Sequence, residues 1–106
     1  MLIKAEDRIR ATLRANNTHI RLLLAHPMHS GRQMDENNMV VKAEFIQDIR
    51  CWRNDNEVLV IKCGSATSQN PYFSFELGGG QVGDTIAIRW VDNTGAKGDI
   101  KATVDS

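Results

Sequence analysis

The chain has 106 residues, 42% of them hydrophobic and 25% charged, a composition typical of one globular domain with a single core. Lysine plus arginine number 13, as do aspartate plus glutamate. This balance argues against nucleic acid or an anionic membrane surface as the partner, because both attract clustered positive charge.

The first predicted elements are two strands. RIRATLR, residues 8–14, alternates apolar with polar residues at the period of two that a half-buried strand shows, although its composition would also suit a helix. The turn signal Asn16-Asn17 leads into HIRLLLA, residues 19–25, a more buried strand that ends at Pro27. We interpret the polar positions as the solvated face of a sheet. Its arginines are Arg8, Arg10, Arg14 and Arg21.

The next segment, HPMHSGRQMDENNM over residues 26–39, is polar and has no strand pattern. Connections longer than about 12 residues inside a small domain tend to be functional or mobile. VVKAEFIQDIRCWR (40–53) and EVLVIKC (57–63) follow as predicted strands. Asn54-Asp55-Asn56 predicts a hairpin turn between them, because Asn and Asp tolerate the left-handed backbone that such turns need.

The last third of the chain adds three predicted strands, YFSFEL (72–77), TIAIRWV (85–91) and DIKATV (99–104). About seven short strands separated by turn signals every 8 to 12 residues are typical of an immunoglobulin-like antiparallel sandwich. The predicted fold is therefore all-β, with one domain over residues 1–106.

The glycine run Gly78 to Gly80, with Gly83 close behind, separates two of these predicted strands. A phosphate-binding loop of the Walker type needs lysine and then serine or threonine after its glycines, followed by a helix, whereas a strand follows here. The segment GGGQVG also has no cysteine, serine or lysine that could carry a substrate. We predict a turn with several residues at positive φ.

Three groups of residues could carry chemistry, and each has a structural explanation. His26 and His29 have the spacing of paired metal ligands, but no third ligand is predicted beside them. A hydrolase triad that included Ser30 would need a nucleophile elbow, which the sequence lacks. Cys51 and Cys63 fit no metal or redox spacing. We predict no catalytic residue, no cofactor and no metal.

The predicted hairpin register places the cysteines on different faces. With the turn at Asn54-Asp55, Cys51 would lie opposite Val58 on the core side, and Cys63 would point the other way. The two thiols should therefore not pair, with Cys51 in the core and Cys63 partly exposed.

The polar segment 26–39 holds three of the four methionines, and methionine adapts well to binding surfaces. Trp52 should lie on the face opposite Cys51, where an exposed tryptophan is a frequent interface anchor. The alternative is that such side chains cover the ends of the core. The partner-interface candidates are Met28, Met34, Met39, Phe45, Trp52 and Tyr72.

Five segments in this order, HPMHSG, EFIQDI, SQNPYFSFEL, VGDTIAIRWVDNTG and the closing strand, resemble the SoxZ family over about residues 9–104. The resemblance implies an immunoglobulin-like subunit, without catalytic residues, that forms a heterodimer with SoxY. It implies that a C-terminal cysteine of SoxY carries thiosulfate-derived sulfur, and that other Sox enzymes make transient contact. It also implies a periplasmic protein exported with its partner, since MLIKAEDRIR lacks a signal-peptide core.

We therefore expect a non-enzymatic scaffold subunit of a sulfur-carrier complex, which could form a homodimer when isolated. The alternative from another class is a standalone immunoglobulin-like ligand-binding or adhesion module, because the same sandwich serves both.

Overall fold

A computed structural model describes residues 6–106, which form an all-β structure of seven strands without any helix. No described segment is therefore a helix long and apolar enough to cross a membrane. The strands are β1 Arg8–Arg14, β2 Asn17–Leu23, β3 Ile46–Arg53, β4 Asn56–Lys62, β5 Tyr72–Gly78, β6 Thr85–Asp92 and β7 Lys97–Thr103.

The strands form two antiparallel sheets, the first in the order β1-β2-β5 and the second in the order β4-β3-β6-β7. The chain end joins them along one edge, because Leu13 N–H donates to the Asp105 carbonyl and Asp105 N–H donates to that of Ala11. This segment covers the outer edge of β1, which would otherwise present unpaired backbone groups. The predicted β-sandwich is confirmed, and residues 8–14 form a strand.

The core lies between the sheets and follows the alternation of the sequence. In β2 and β6 the inward-facing Ile20, Leu22, Ile86 and Ile88 are at most 1% exposed, whereas the adjacent Arg21 and Arg89 face solvent. Burial of one such side chain contributes roughly 1.5–3 kcal/mol, so this layer is the main source of stability. The fully buried large side chains include Ile20, Leu22, Leu24, Ile46, Ile49, Ile86, Ile88 and Val104.

The β3–β4 hairpin differs from its predicted register. Its turn is as expected, with Asn54 and Asp55 at φ 49° and 72°. However, Cys51 lies opposite Leu59 rather than Val58, because a β-bulge beside Cys51 and Trp52 gives β4 one extra residue. The predicted partner of Cys51 was therefore wrong by one position.

This shift also corrects the prediction for Cys63, which does not point away from the core. Leu59 and Ile61 now take the positions opposite Cys51 and Ile49, and alternation carries Cys63 to the same side. Cys63 is partly buried and packs against the core, while Cys51 is 1% exposed within it. Both thiols are free, as predicted.

The glycine run forms the predicted turn at what we call the glycine end of the sandwich, where β5 ends and β6 begins. Gly79, Gly80 and Gly83 have φ of 73°, 102° and 99°. A Cβ on Gly80 would also overlap the Thr18 hydroxyl. Position 80 therefore requires glycine both for its backbone conformation and for space.

Candidate partner-binding surface

The opposite end of the sandwich, where β2 and β6 finish, carries a short two-stranded ribbon that we call the arm, residues 29–44. His29 and Glu44 exchange both backbone hydrogen bonds, with N–O distances of 2.7 and 2.9 Å. Further out, Val41 N–H donates to the Gln33 carbonyl at 2.8 Å. The polar connection thus has backbone pairing of its own, which its sequence pattern did not indicate.

The tip of the arm is fixed by Asp35. Its backbone N–H donates to the Met39 carbonyl, and its carboxylate accepts from the N–H groups of Asn37 and Met39 at 2.8 and 3.0 Å. Asn38 takes the left-handed conformation, φ 61°, that completes the turn. All residues in the range 32–40 are exposed, so the tip stands clear of the sandwich and its shape depends on these local bonds.

The base of the arm needs a close approach of its two chains. Gly31 has φ 86°, and a Cβ built on it would lie 3.0 Å from the Cβ of Ala43. Met28, just before the arm, has φ 52° and is 3% exposed. Its sulfur accepts the Ile46 N–H at 3.3 Å. Met28 is therefore a core residue of the isolated domain, and its side chain is not available for a partner.

His26 fastens the base to β6. Its Nδ1 accepts the Met28 N–H at 3.0 Å, so the ring proton lies on Nε2, which donates to the Asp92 carboxylate at 3.1 Å. Both side chains are buried, with 3% and 1% exposed. The ring also meets the edge of Trp90 at a centroid distance of 5.3 Å. The neutral imidazole thus has both nitrogens hydrogen-bonded.

Asp92 accepts the hydrogen bond from His26 and further hydrogen bonds from its own turn, a group that we call the anchor. Its other carboxylate oxygen accepts from the Thr94 N–H, the Thr94 hydroxyl and the Ala96 N–H at 2.9, 2.6 and 3.0 Å. Burial raises the pKa of Asp92, but the hydrogen bonds from Thr94, His26 and Ala96 together outweigh burial and leave that pKa below its ordinary value. The carboxylate is therefore ionised at neutral pH and holds two loops together.

His26, Asp92 and Glu44 bring potential metal-ligand atoms within 4.8 Å of one another. A cation at this position would have to displace the proton that His26 donates to Asp92, and Nδ1 is already occupied by the Met28 N–H. His29, whose spacing from His26 resembles that of paired ligands, does not belong to this group, since its ring lies 3.0 Å from the Gln33 side chain. The donor set suits a hydrogen-bonded anchor.

The candidate interface residues fall into four places, three of them at the arm end. Met34 and Met39 are each 65% exposed at the tip of the arm, and Val40, which sequence reasoning missed, is 61% exposed opposite Met34. Tyr72, 59% exposed, begins β5 at this same end. Phe45 is partly buried at the base of the arm, against the core.

Trp52 is apart from the others. It lies one residue before the end of β3, at the glycine end, on the outer face of the second sheet. The Arg89 guanidinium lies 5.9 Å from its ring centroid. A groove of about 410 Å³ beside it is lined by Ala87, Asp99 and Lys101 among others. The six candidates therefore do not form one continuous surface.

Two asparagines complete the attachment of the arm. Asn70 accepts the His26 N–H and donates its own N–H to the His26 carbonyl. Asn93 accepts the Phe45 N–H at 2.7 Å and donates to the Ala43 carbonyl at 3.0 Å. These residues belong to the segments HPMHSG, SQNPYFSFEL and VGDTIAIRWVDNTG, which meet at the base of the arm.

The sequence model of the family described as sulphur oxidation protein SoxZ matches residues 8–103, nearly the whole chain. The chain belongs to the SoxZ family. Membership implies a part in sulfur oxidation, and the SoxZ resemblance noted in the sequence is confirmed. No curated protein matches the chain closely enough to count as a relative. In this SoxZ domain, three of the segments that carry the resemblance, those with His26, Asn70 and Asn93, meet at the base of the arm.

Proposed function

We propose that this chain is the non-catalytic subunit of a SoxYZ sulfur-carrier complex. It pairs with SoxY, whose C-terminal cysteine carries thiosulfate-derived sulfur during thiosulfate oxidation in the periplasm. The observation that carries this proposal is the arm, whose exposed tip presents Met34, Met39 and Val40 on a base fixed by buried hydrogen bonds. A preformed apolar projection binds with less loss of conformational entropy than a mobile loop does.

The state of the two thiols supports placing the sulfur chemistry on the partner. Burial raises the pKa of the Cys51 thiol to about 11, against a smaller opposing effect of Arg53. Burial, together with the Asp48 charge, also raises the pKa of Cys63. Since the thiolate is the nucleophile, neither cysteine is suited to attack a sulfur compound at neutral pH.

A Met34→Ser/Met39→Ser variant, which replaces both methionines at the tip, tests whether the arm contacts SoxY. We expect the Kd for purified SoxY to rise at least about tenfold, because two adaptable apolar anchors are lost. The melting temperature of the isolated chain should not change, since both side chains are exposed. Isothermal titration and thermal unfolding measure the two quantities.

Val82→Ser is the matched control, because Val82 is 56% exposed but lies in the turn at the glycine end. It should bind SoxY as tightly as the unchanged chain. Equal affinity of the double methionine variant would show that the arm is not the contact. No binding of the unchanged chain to SoxY would instead favour a standalone binding or adhesion module.

The periplasmic location is a further part of this proposal. We expect the chain to reach the periplasm when SoxY is co-expressed and to stay in the cytoplasm without it. Cell fractionation measures this, and equal periplasmic recovery in both strains would contradict shared export.

A further inference from the structure

The outer face of the first sheet carries a cluster of arginines, which we call the basic face. In the strand register Arg10 lies directly opposite Arg21, and the third residue in that row is Ser74. Arg8 belongs to the next row toward the arm end, and Arg14 lies at the other end of β1. Within residues 6–106 none of these four arginines forms an ion pair.

The outer face of the second sheet is organised differently. Its arginines have acidic partners, with Arg89 Nε 2.7 Å from the Asp99 carboxylate and Arg50 Nη1 2.8 Å from that of Glu57. Lys62 is likewise paired with Asp48. The sandwich therefore has one outer face whose arginines are paired internally, with Lys97 and Lys101 of β7 outside these pairs, and one whose arginines remain available.

Two like charges directly opposite each other on neighbouring strands destabilise a sheet. The pair Arg10 and Arg21 is such a case, and an acidic side chain at the position of Ser74 would relieve it. Around the pair, His19 and Glu76 are 3.5 Å apart, and Asp105 lies beside Thr12. Glu76 thus lies on the same face one row from the pair, but its carboxylate contacts His19 and Asn17 rather than an arginine. The pair therefore remains open to an external anion.

The shape of the face indicates the kind of anion. A groove of about 340 Å³ runs beside Arg10, Arg14, His19 and Arg21. Along β1 the arginines extend over about 20 Å from Arg8 to Arg14, at roughly 3.3 Å per residue. This distance is longer than one small oxyanion can bridge. Tyr72, 59% exposed, lies in the same row of the sheet as Arg8. Exposed tyrosine with arginine is the composition of protein interfaces.

We propose that the basic face docks an acidic surface of another protein, with aspartate and glutamate carboxylates placed against Arg10, Arg14 and Arg21. This surface is separate from the tip of the arm and does not depend on the pairing with SoxY. Docking would relieve the repulsion between Arg10 and Arg21, and charge complementarity of this kind speeds association.

Binding to the isolated chain is tested by NMR titration with an oligoglutamate peptide long enough to span the face. Backbone amide shifts should appear in β1 and β2 and fade as salt is raised. In an Arg10→Ser/Arg21→Ser variant the Kd should rise about tenfold. The matched control Arg50→Ser/Arg89→Ser removes two arginines from the paired face and should leave the Kd unchanged.

Three results would overturn the proposal. If both double variants raise the Kd for the peptide equally, the peptide binds through the overall charge of the chain and not through this face. Saturation of the same amides by sodium sulfate at equal charge concentration would identify a small-oxyanion site. Tighter binding of a DNA duplex than of the peptide, lost in the Arg10→Ser/Arg21→Ser variant, would assign the face to nucleic acid.

Discussion

Each end of β6 has a buried aspartate that accepts hydrogen bonds from a loop, but the two aspartates support different structures. Asp84 precedes this strand and Asp92 ends it, and both are buried carboxylates that hold a loop from another part of the chain. Asp84 accepts from the Asn54 side chain at 2.9 Å and from the Gln81 N–H at 2.8 Å. Asp92 accepts from His26 and from its own turn.

The difference lies in what each aspartate supports. At the glycine end the chain returns through short turns that close the sandwich. At the arm end the same kind of anchor holds a ribbon, residues 29–44, whose exposed tip adds nothing to the core. A segment whose tip is outside the core, but whose base is fixed by buried hydrogen bonds, is the basis of the proposed contact with SoxY. Substitutions at the two ends can test the attachment of the arm separately from the closure of the sandwich at the glycine end.

The largest effect is expected from Asp92→Ala. This change leaves the buried His26 Nε2–H without its acceptor, and a buried unsatisfied group costs about 1–3 kcal/mol. It also removes the part-buried hydrogen bonds from the N–H groups of Thr94 and Ala96. We expect the free energy of unfolding to fall by about 3–5 kcal/mol, measured by urea denaturation.

The matched control is Asp99→Ala, which breaks the exposed pair with Arg89 and should cost less than about 1 kcal/mol. If the two variants lose the same free energy of unfolding, the buried pair of His26 and Asp92 does not anchor the arm end.

The second largest effect on stability is expected at the glycine end and tests the turn that closes the sandwich there. Gly80→Ala forces a side chain into a residue with φ 102° and against the Thr18 hydroxyl. We expect a loss of about 2 kcal/mol in unfolding free energy, from backbone strain and overlap together. Affinity for SoxY should not change, because the arm is at the other end.

Gly78→Ala is the control within the same run, since Gly78 has no positive φ and a Cβ added to it would meet no atom within 4 Å. It should shift the unfolding free energy by less than about 0.5 kcal/mol. Equal losses at positions 78 and 80 would contradict the assignment of position 80 to a glycine-only turn.

Local sequence pattern predicted the strands because alternation and turn residues act over a few positions. It could not predict the bulge at Val58, because that shift depends on how β4 pairs with β3 and packs against the core, contacts that a local pattern does not contain. It left Met28 open between a binding surface and the end of the core, and the backbone conformation turns this methionine into the core. The pair of His26 and Asp92 joins residues 66 positions apart, a contact that only the assembled sheets create.

The smallest effect concerns Asp84 and its dependence on pH. Hydrogen bonds from the Asn54 side chain and the Gln81 N–H, with a further contribution from the Arg53 charge, lower the pKa of Asp84 despite its burial. A depressed folded-state pKa adds stability above the unfolded-state value, near 4, and this stability is lost as pH falls through the folded-state pKa.

The difference in unfolding free energy between the unchanged chain and Asp84→Asn should therefore be constant above about pH 5 and shrink below about pH 4. Urea midpoints across this range measure the difference. Because Asn keeps one acceptor oxygen, the difference should be smaller than the loss in Asp92→Ala. A difference that grows as the pH falls would mean that the Asp84 carboxyl is protonated more readily in the folded chain than in the unfolded one, which the two hydrogen bonds donated to it do not allow.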